Sequence, residues 1–310
     1  MISTEELLGT IRGEVLLGES MKEHTALKIG GSVDFFVDPL DREDLCRAIA
    51  LFEARNLPYE LIGRGSNLLV HDDGVRGALI ITSRALGGYS VKKNILTAGA
   101  GAPLPVIAEK TFGLSLGGLE MLQGIPGTVG GAIAMNAGAH GQDISSVVSR
   151  VEILHEGRVC MIQAQDIAFG YRSCSLGGRV ILGAEMKLKK LSDAECDKRG
   201  RLRREAFQRR SASQPLSWPN AGSVFRNPRP EENPSGLSAG QMIDACGLKG
   251  LQRGGAVISE THANFIINAG DARAADIMAL IVEAREQVRT MFGVQLELEI
   301  KLLGFAKNSC

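Results

Sequence analysis

The sequence predicts an α+β fold. Two stretches, 41–56 and 271–292, carry apolar residues at helical spacing, and a third, Val294–Leu302, alternates strictly between apolar and polar. Helices and strands otherwise mix without a regular β-α-β rhythm, which separates the chain from the doubly wound α/β class.

The elements follow in chain order. Ser3-x-x-Glu6 reads as a capping box opening a short helix. In 41–56, Asp41 is placed to cap a helix whose Leu45, Ala48, Ile49 and Phe52 share one face. Leu61–Ile62 is a short strand running into a glycine turn, and Ala78–Thr82 is a second strand. Pro103–Phe112 is a helix ended by Gly113. Val180–Leu188 is strand-like. Ser192-x-x-Glu195 opens a basic helix, expected to link two domains. The basic run 198–210 on it reads as a solvated linker face, with contact to a phosphate as the second reading. In 271–292, Asp271 is placed to cap, and Ile277, Ile281, Ala284, Val288 and Met291 form the apolar stripe. Val294–Leu302 reads as a half-buried strand, with Glu297 and Glu299 both on its polar face.

Composition narrows the function classes. Of 310 residues, 44% are hydrophobic and 23% charged, as in ordinary globular proteins. Lys+Arg and Asp+Glu stand at 35 each, so neither nucleic acid nor an anionic membrane is an expected partner. The first residues carry Glu5 and Glu6 and no basic stretch ahead of an apolar one, unlike a secretory signal. Cys46, Cys160, Cys174, Cys196, Cys246 and Cys310 are scattered, which predicts free thiols in a reducing, cytoplasmic setting. The histidines lack ligand spacing, so no metal is expected.

Glycine is the outlier, with 38 residues. Gly63-Arg64-Gly65-Ser66-Asn67-Leu68 follows a strand, yet Leu68 stands where a dinucleotide fingerprint needs its third glycine. Gly124-Ile125-Pro126-Gly127-Thr128-Val129-Gly130-Gly131 lacks the Gly-Lys-Ser/Thr of a P-loop. Both loops still suit an anion, because glycines let backbone N–H groups converge on phosphate oxygens, and Ser66, Asn67 and Thr128 add short donors. The segment from Gly127 onward could open a helix whose N-terminus favours negative charge. Tight turns and close packing explain either loop equally well.

Read together, several blocks resemble one family. They are His24-Thr25-Ala26-Leu27-Lys28-Ile29-Gly30-Gly31, the two glycine loops, Asn136-Ala137-Gly138-Ala139, Tyr171-Arg172-Ser173-Cys174-Ser175, Gly222-Ser223-Val224-Phe225-Arg226-Asn227-Pro228, Ala239-Gly240 through Gly247-Leu248-Lys249-Gly250, and His262-Ala263-Asn264-Phe265. In this order they are similar to the UDP-N-acetylenolpyruvoylglucosamine reductases, over nearly the whole chain. With about fifty residues between Arg172 and Ser223, the chain resembles the shorter branch.

The resemblance implies an FAD-binding module of two α+β subdomains, of the PCMH or vanillyl-alcohol-oxidase type, plus an α+β substrate domain. The implied bounds are 1–82 for subdomain 1, with 294–310 returning to it, 83–192 for subdomain 2, and 193–293 for substrate. It implies FAD as cofactor and NADPH as co-substrate. Hydride passes to the terminal vinyl carbon of the enolpyruvyl UDP-sugar, and protonation of the neighbouring carbon gives UDP-N-acetylmuramate. A monomer is expected.

The implied cofactor-binding residues are Gly63, Gly65, Ser66, Asn67, Leu68, Gly124, Gly127, Thr128, Gly130, Gly131, Asn136 and Gly138. Arg172 matches the group that steadies negative charge on the substrate carboxylate side; losing one such donor costs roughly a hundred- to thousand-fold in rate. Ser223 matches the proton donor, a role its own sequence surroundings, which read as a turn, would not suggest. Glu299 matches the late catalytic glutamate. Where the family often has proline between the two glutamates this chain has Leu298, so Glu297 stands as the alternative. Tyr171, Arg226 and Asn227 match substrate contacts, although each also reads as a packing or loop residue. His140 stands where the family commonly has an aromatic side chain and is given no role. The Pro- and Gly-containing insertion 231–236 reads as a surface loop.

Overall fold

A computed structural model describes residues 3–306. Cys310 and the last four positions of the expected returning segment 294–310 lie outside the described residues. The chain divides into two compact units. Unit 1 takes the chain up to Leu17, Phe35–Arg64 and Gly77–Gln208; unit 2 takes Gly18–Asp34, Gly65–Arg76 and the chain from Arg209 onward. The division falls within the basic helix.

Unit 1 is built from sheets with helices packed on them. Helix α1 (Thr4–Thr10) starts where expected, the Ser3 side chain accepting from the Glu6 N–H at 3.1 Å. Helix α2 (Arg42–Ala54) is capped by Asp41 and buries Leu45, Ala48, Ile49 and Phe52 completely or nearly so. Strand Tyr59–Ile62 runs parallel to Ala78–Ile81. A five-stranded antiparallel sheet follows, ordered Arg158–Gln163, Val148–His155, Val180–Lys187, Ile95–Gly99, Tyr89–Lys92. Its hairpin 148–163 turns at Glu156 and Gly157, which take φ of 50° and 69°, as a two-residue hairpin turn requires. Helices α3 (Leu104–Gly113), α4 (Val129–Ala134) and the first part of α5 (Asp193–Ser213) complete the unit. Two apolar clusters form its core. One is centred on Phe52, Ile49 and Leu7, the other on Leu96, Ile107, Ile133 and Met186.

Unit 2 packs helices α6 (Ala239–Ala245) and α7 (Ala274–Phe292) against the strands Gln252–Arg253, Ala256–Ile258 and Ile266–Asn268, around one apolar cluster. Strand Leu68–Val70 pairs in parallel with Lys301–Leu303. Asp271 does not cap α7; it sits at φ 51° ahead of the helix. The cap comes from far along the chain, as the Asp72 carboxylate accepts from the N–H groups of Ala274 (2.8 Å) and Ala275 (3.0 Å), while Asp276 accepts from Arg273 N–H. A carboxylate at a helix N-terminus also opposes the helix dipole favourably. Met291 leaves the apolar stripe and is 57% exposed, and Leu280 takes its place in the core.

Val294–Leu302 is not one strand. Val294, Leu296 and Ile300 are buried as the alternation requires, but the segment makes one bridge, Phe225 to Leu298, and bends at Ile300 before Lys301–Leu303 begins. Alternation reports which side is buried; a ladder also needs a neighbouring strand, and here the Arg285 guanidinium (3.0 Å to the Leu296 carbonyl) stands in for one. The insertion 231–236 is a surface turn anchored by buried Asn233. Among the described residues, no helix is long and apolar enough to cross a membrane.

Candidate active site

The first glycine loop begins in unit 1. The Ile62 carbonyl accepts from both the N–H and the hydroxyl of Thr82, which ends the strand, and the chain turns at Gly63. A Cβ on Gly63 would lie 2.6 Å from Thr128 Oγ1, so the first loop abuts the second with no room for a side chain. Thr128 is buried and caps α4, accepting from Gly131 N–H at 3.4 Å. The N–H groups of Val129 and Gly130 donate to the carbonyls of Ala102 (3.0 Å) and Ala100 (2.8 Å). The expected helix from Gly127 onward therefore exists, but its first turn is occupied inside the protein. The two loops thus meet backbone to side chain at Gly63 and Thr128.

From Gly65 onward the loop counts with unit 2. Gly65 takes φ +61°, a Cβ there would fall 2.0 Å from the His24 carbonyl, and its own carbonyl accepts from Ala26 N–H. This explains the first sequence block: 24–31 wraps the loop, with buried Thr25 bonded to both backbone groups of Ile29. Asn67 Nδ2 donates to the Glu299 carbonyl at 2.9 Å. Leu68 is buried and opens the strand 68–70.

Arg172 stands in unit 1 at the turn of the small hairpin 169–170/173–174, in the left-handed region at φ 53°. Its guanidinium lies 5.1 Å from the centre of the Tyr171 ring and donates to the Gly138 carbonyl at 3.0 Å. Asn136, buried at φ 39°, donates to the Gly170 carbonyl (2.9 Å) and accepts from Ser145 N–H. Both Asn136 and Gly138 thus reach the Arg172 hairpin. Gly124 and Gly127 lie in the loop ahead of Thr128, Gly127 at φ +136°.

Ser223, Arg226, Asn227, Glu297 and Glu299 all lie in unit 2. Glu299 N–H donates to the Val224 carbonyl (2.8 Å), and Arg226 N–H donates to the Glu297 carbonyl (2.9 Å), so the Ser223 and Glu299 segments run side by side. Glu297 is mostly exposed and pairs loosely with Arg226 at 3.8 Å; Glu299 is half-buried. Arg226 Nε is buried with no hydrogen-bond partner among the described residues. Asn227 Oδ1 accepts from Ala239 N–H, the first residue of α6. Two residues without an assigned role in the sequence are prominent here. Asn264 is bonded along the Val224–Phe225 backbone, and the Arg285 guanidinium lies 6.0 Å from the centre of the Phe225 ring. Their only sequence signal was membership of a motif block for Asn264 and of a polar helix face for Arg285.

Cys46, Cys160, Cys174, Cys196 and Cys246 are free, and among the described residues no three His, Cys, Asp or Glu side chains gather as a metal site.

The α+β module, together with the match of residues 33–159 to the FAD binding domain family, defines an FAD-binding oxidoreductase. Residues 214–303 match the UDP-N-acetylenolpyruvoylglucosamine reductase, C-terminal domain. The UDP-N-acetylenolpyruvoylglucosamine reductase of Chloroherpeton thalassium is 45% identical over 99% of this chain and 99% of its own, and that of Geobacter metallireducens is 41% identical over 96% and 97%. The crystal structure of the Thermus caldophilus UDP-N-acetylenolpyruvylglucosamine reductase superposes with a TM-score of 0.76 at 35% identity, covering 94% of this chain and 99% of that one. The chain belongs to the UDP-N-acetylenolpyruvoylglucosamine reductase family.

Proposed function

We infer that this chain catalyses the NADPH-dependent, FAD-mediated reduction of UDP-N-acetylglucosamine enolpyruvate to UDP-N-acetylmuramate in peptidoglycan precursor synthesis. FAD, when bound, supplies the two-electron relay from NADPH to the terminal vinyl carbon of the substrate. Hydride arriving there leaves negative charge on the carboxylate side. Arg172 is the cation proposed to steady that charge; its planar fork suits a carboxylate, and its strained, twice-anchored setting fixes its direction. Ser223 Oγ is proposed to deliver the proton to the carbon bearing the carboxylate. Glu299 is proposed as the neighbouring carboxyl group that holds and returns protons.

One observation carries the pairing of the last two: Glu299 N–H on the Val224 carbonyl, one residue past Ser223. The exposed pairing of Glu297 with Arg226 supports Glu299 as the working glutamate. Tyr171, Arg226 and Asn227 are proposed substrate contacts, and the partnerless buried Nε of Arg226 supports a role toward an anionic ligand. Gly63, Gly65, Ser66, Asn67, Leu68, Gly124, Gly127, Thr128, Gly130, Gly131, Asn136 and Gly138 are the proposed FAD-binding residues. The three-part division at 82/83 and 192/193 is proposed as the functional one. Free cysteines support a reducing, cytoplasmic setting. A monomer without nucleic-acid or membrane partners is proposed, in keeping with equal numbers of acidic and basic residues.

The test is an anaerobic titration in two halves. NADPH should bleach the flavin bands, and the enolpyruvyl UDP-sugar should restore them. Ser223→Ala should bleach normally and recover only at a small residual rate. Bleaching by an alcohol or sugar and recovery by oxygen, with no recovery by the UDP-sugar, would instead place the chain among oxidases of the same scaffold.

A further inference from the structure

Ser223 stands on a stretch with almost no regular structure. Gly222 before it is left-handed at φ +79°, and the stretch touches neighbouring strands through isolated bridges only, Asn220 to Ile267 and Phe225 to Leu298. A side chain holds it in place through hydrogen bonds. Asn264 is 4% exposed. Its Oδ1 accepts from Phe225 N–H at 2.9 Å and its Nδ2 donates to the Phe225 carbonyl at 2.8 Å, while its main-chain carbonyl accepts from Val224 N–H at 2.9 Å. The carboxamide thus presents a donor and an acceptor side by side, as the backbone of a paired strand would. On the other flank the Val224 carbonyl takes the Glu299 N–H. The two residues after Ser223 are therefore gripped between Asn264 and the Glu299 segment.

Asn264 is itself held from behind. Its N–H donates to His262 Nδ1 at 3.2 Å, and the His262 ring packs edge-on to Phe265. A Cβ on Gly240 of α6 would lie 3.4 Å from Asn264 Cβ and 3.0 Å from His262 Cε1, so the helix backbone approaches closely enough to fix both side chains. Burial and the nearby Lys249 keep the imidazole below its ordinary value, which preserves Nδ1 as an acceptor.

We propose that Asn264 is a positioning residue for the proton-delivery step: it sets the backbone that carries Ser223, and through it the direction of the Ser223 hydroxyl. This rests on the reading of Ser223 as proton donor. A group displaced by about 1 Å can lose a hundred-fold in rate without any change in its own chemistry. Asn264 therefore acts on re-oxidation of the flavin by substrate and leaves reduction by NADPH alone.

The test measures both halves by anaerobic stopped flow in Asn264→Asp, Ser223→Ala and the double variant. Asn264→Asp keeps the acceptor for Phe225 N–H and loses the donor. Its bleaching by NADPH should stay within about twofold of the parent, its re-oxidation by the enolpyruvyl UDP-sugar should fall about a hundred-fold, and the KM for that sugar should move less than about threefold. In the Ser223→Ala background the same change should cost less than about twofold, since no hydroxyl remains to be aimed. Gly240→Ala is a second probe that crowds Asn264 without touching its amide, and it should slow re-oxidation selectively by several-fold. Equal cost in both backgrounds, equal slowing of both halves, or an unaffected Gly240→Ala beside an Asn264→Asp that does not fold would overturn the proposal. Ser223→Ala re-oxidising at the parent rate would overturn the reading of Ser223 itself.

Discussion

The carboxamide of Asn67 donates to the main-chain carbonyl of Glu299 across 2.9 Å, joining residues 232 apart in the chain. One end of this bond is in the glycine loop proposed to hold FAD, and the other is the proposed catalytic glutamate. A change at Asn67 should thus be felt in proton handling as well as cofactor affinity. Asn67→Ala is expected to slow re-oxidation by the enolpyruvyl UDP-sugar about tenfold more than it slows reduction by NADPH. Equal retardation of both halves in stopped flow would mean that the bond serves only to close the loop.

Gly63 offers the sharpest test of the proposed cofactor loops. An added methyl would meet Thr128 Oγ1 at 2.6 Å and Cγ2 at 3.1 Å, whereas Thr128 Cβ stands at an ordinary 3.4 Å. Gly63→Ala is expected to purify with little flavin, measured as the ratio of visible to protein absorbance. Adding Thr128→Ala removes both offending atoms and should restore part of the flavin content, even though it also removes the cap of α4. A fully yellow Gly63→Ala protein would show that the diphosphate is held elsewhere.

Much of this architecture was legible in the sequence, and the pattern of success is physical. Local rules worked where the partner is local: Ser3 and Asp41 cap helices three residues away, and the α2 stripe is buried as its spacing demands. They failed where the partner is distant. The α7 cap is Asp72, about two hundred residues upstream, so the nearby Asp271 was the natural but mistaken choice. The alternation of 294–302 reported burial correctly and pairing incorrectly, because no second strand lies beside most of it. The site residues came from the order of the motif blocks, and no periodicity singles out Ser223. Asn264 has no assigned role in the sequence because a buried amide that bonds backbone looks the same there as one on a surface turn.

Asn136 separates two roles. Its amide is bonded to Gly170 and Ser145, which makes it a support for the Arg172 hairpin, while the family resemblance places it among cofactor contacts. Asn136→Ala should keep most of its FAD, reduce normally with NADPH, and re-oxidise at least tenfold more slowly, since Arg172 is displaced from the developing charge. Loss of flavin at the first purification step would favour the cofactor role instead.

The strongest pH effect on stability is expected from Asp44, a fully buried carboxylate in the first turn of α2. Burial alone would push its carboxyl up. The N–H groups of Arg12 (2.9 Å), Leu40 (2.9 Å) and Gly13 (2.8 Å), together with the Arg47 guanidinium (3.1 Å), outweigh it and bring it from 3.8 down to about 2. A carboxyl whose folded value lies below its unfolded one stabilises the fold fully above the unfolded value. That stabilisation fades as the pH falls from about 4 through about 2. At about 1.4 kcal/mol per unit, the contribution at neutral pH is on the order of 2–3 kcal/mol. Asp44→Asn replaces an acceptor-only group with one that turns an amide toward three backbone donors. Its urea midpoint at pH 7 should fall accordingly, and the loss of stability between pH 4 and pH 2 should be shallower than in the parent. Parallel acid limbs in the two proteins would assign the acid sensitivity to other carboxylates.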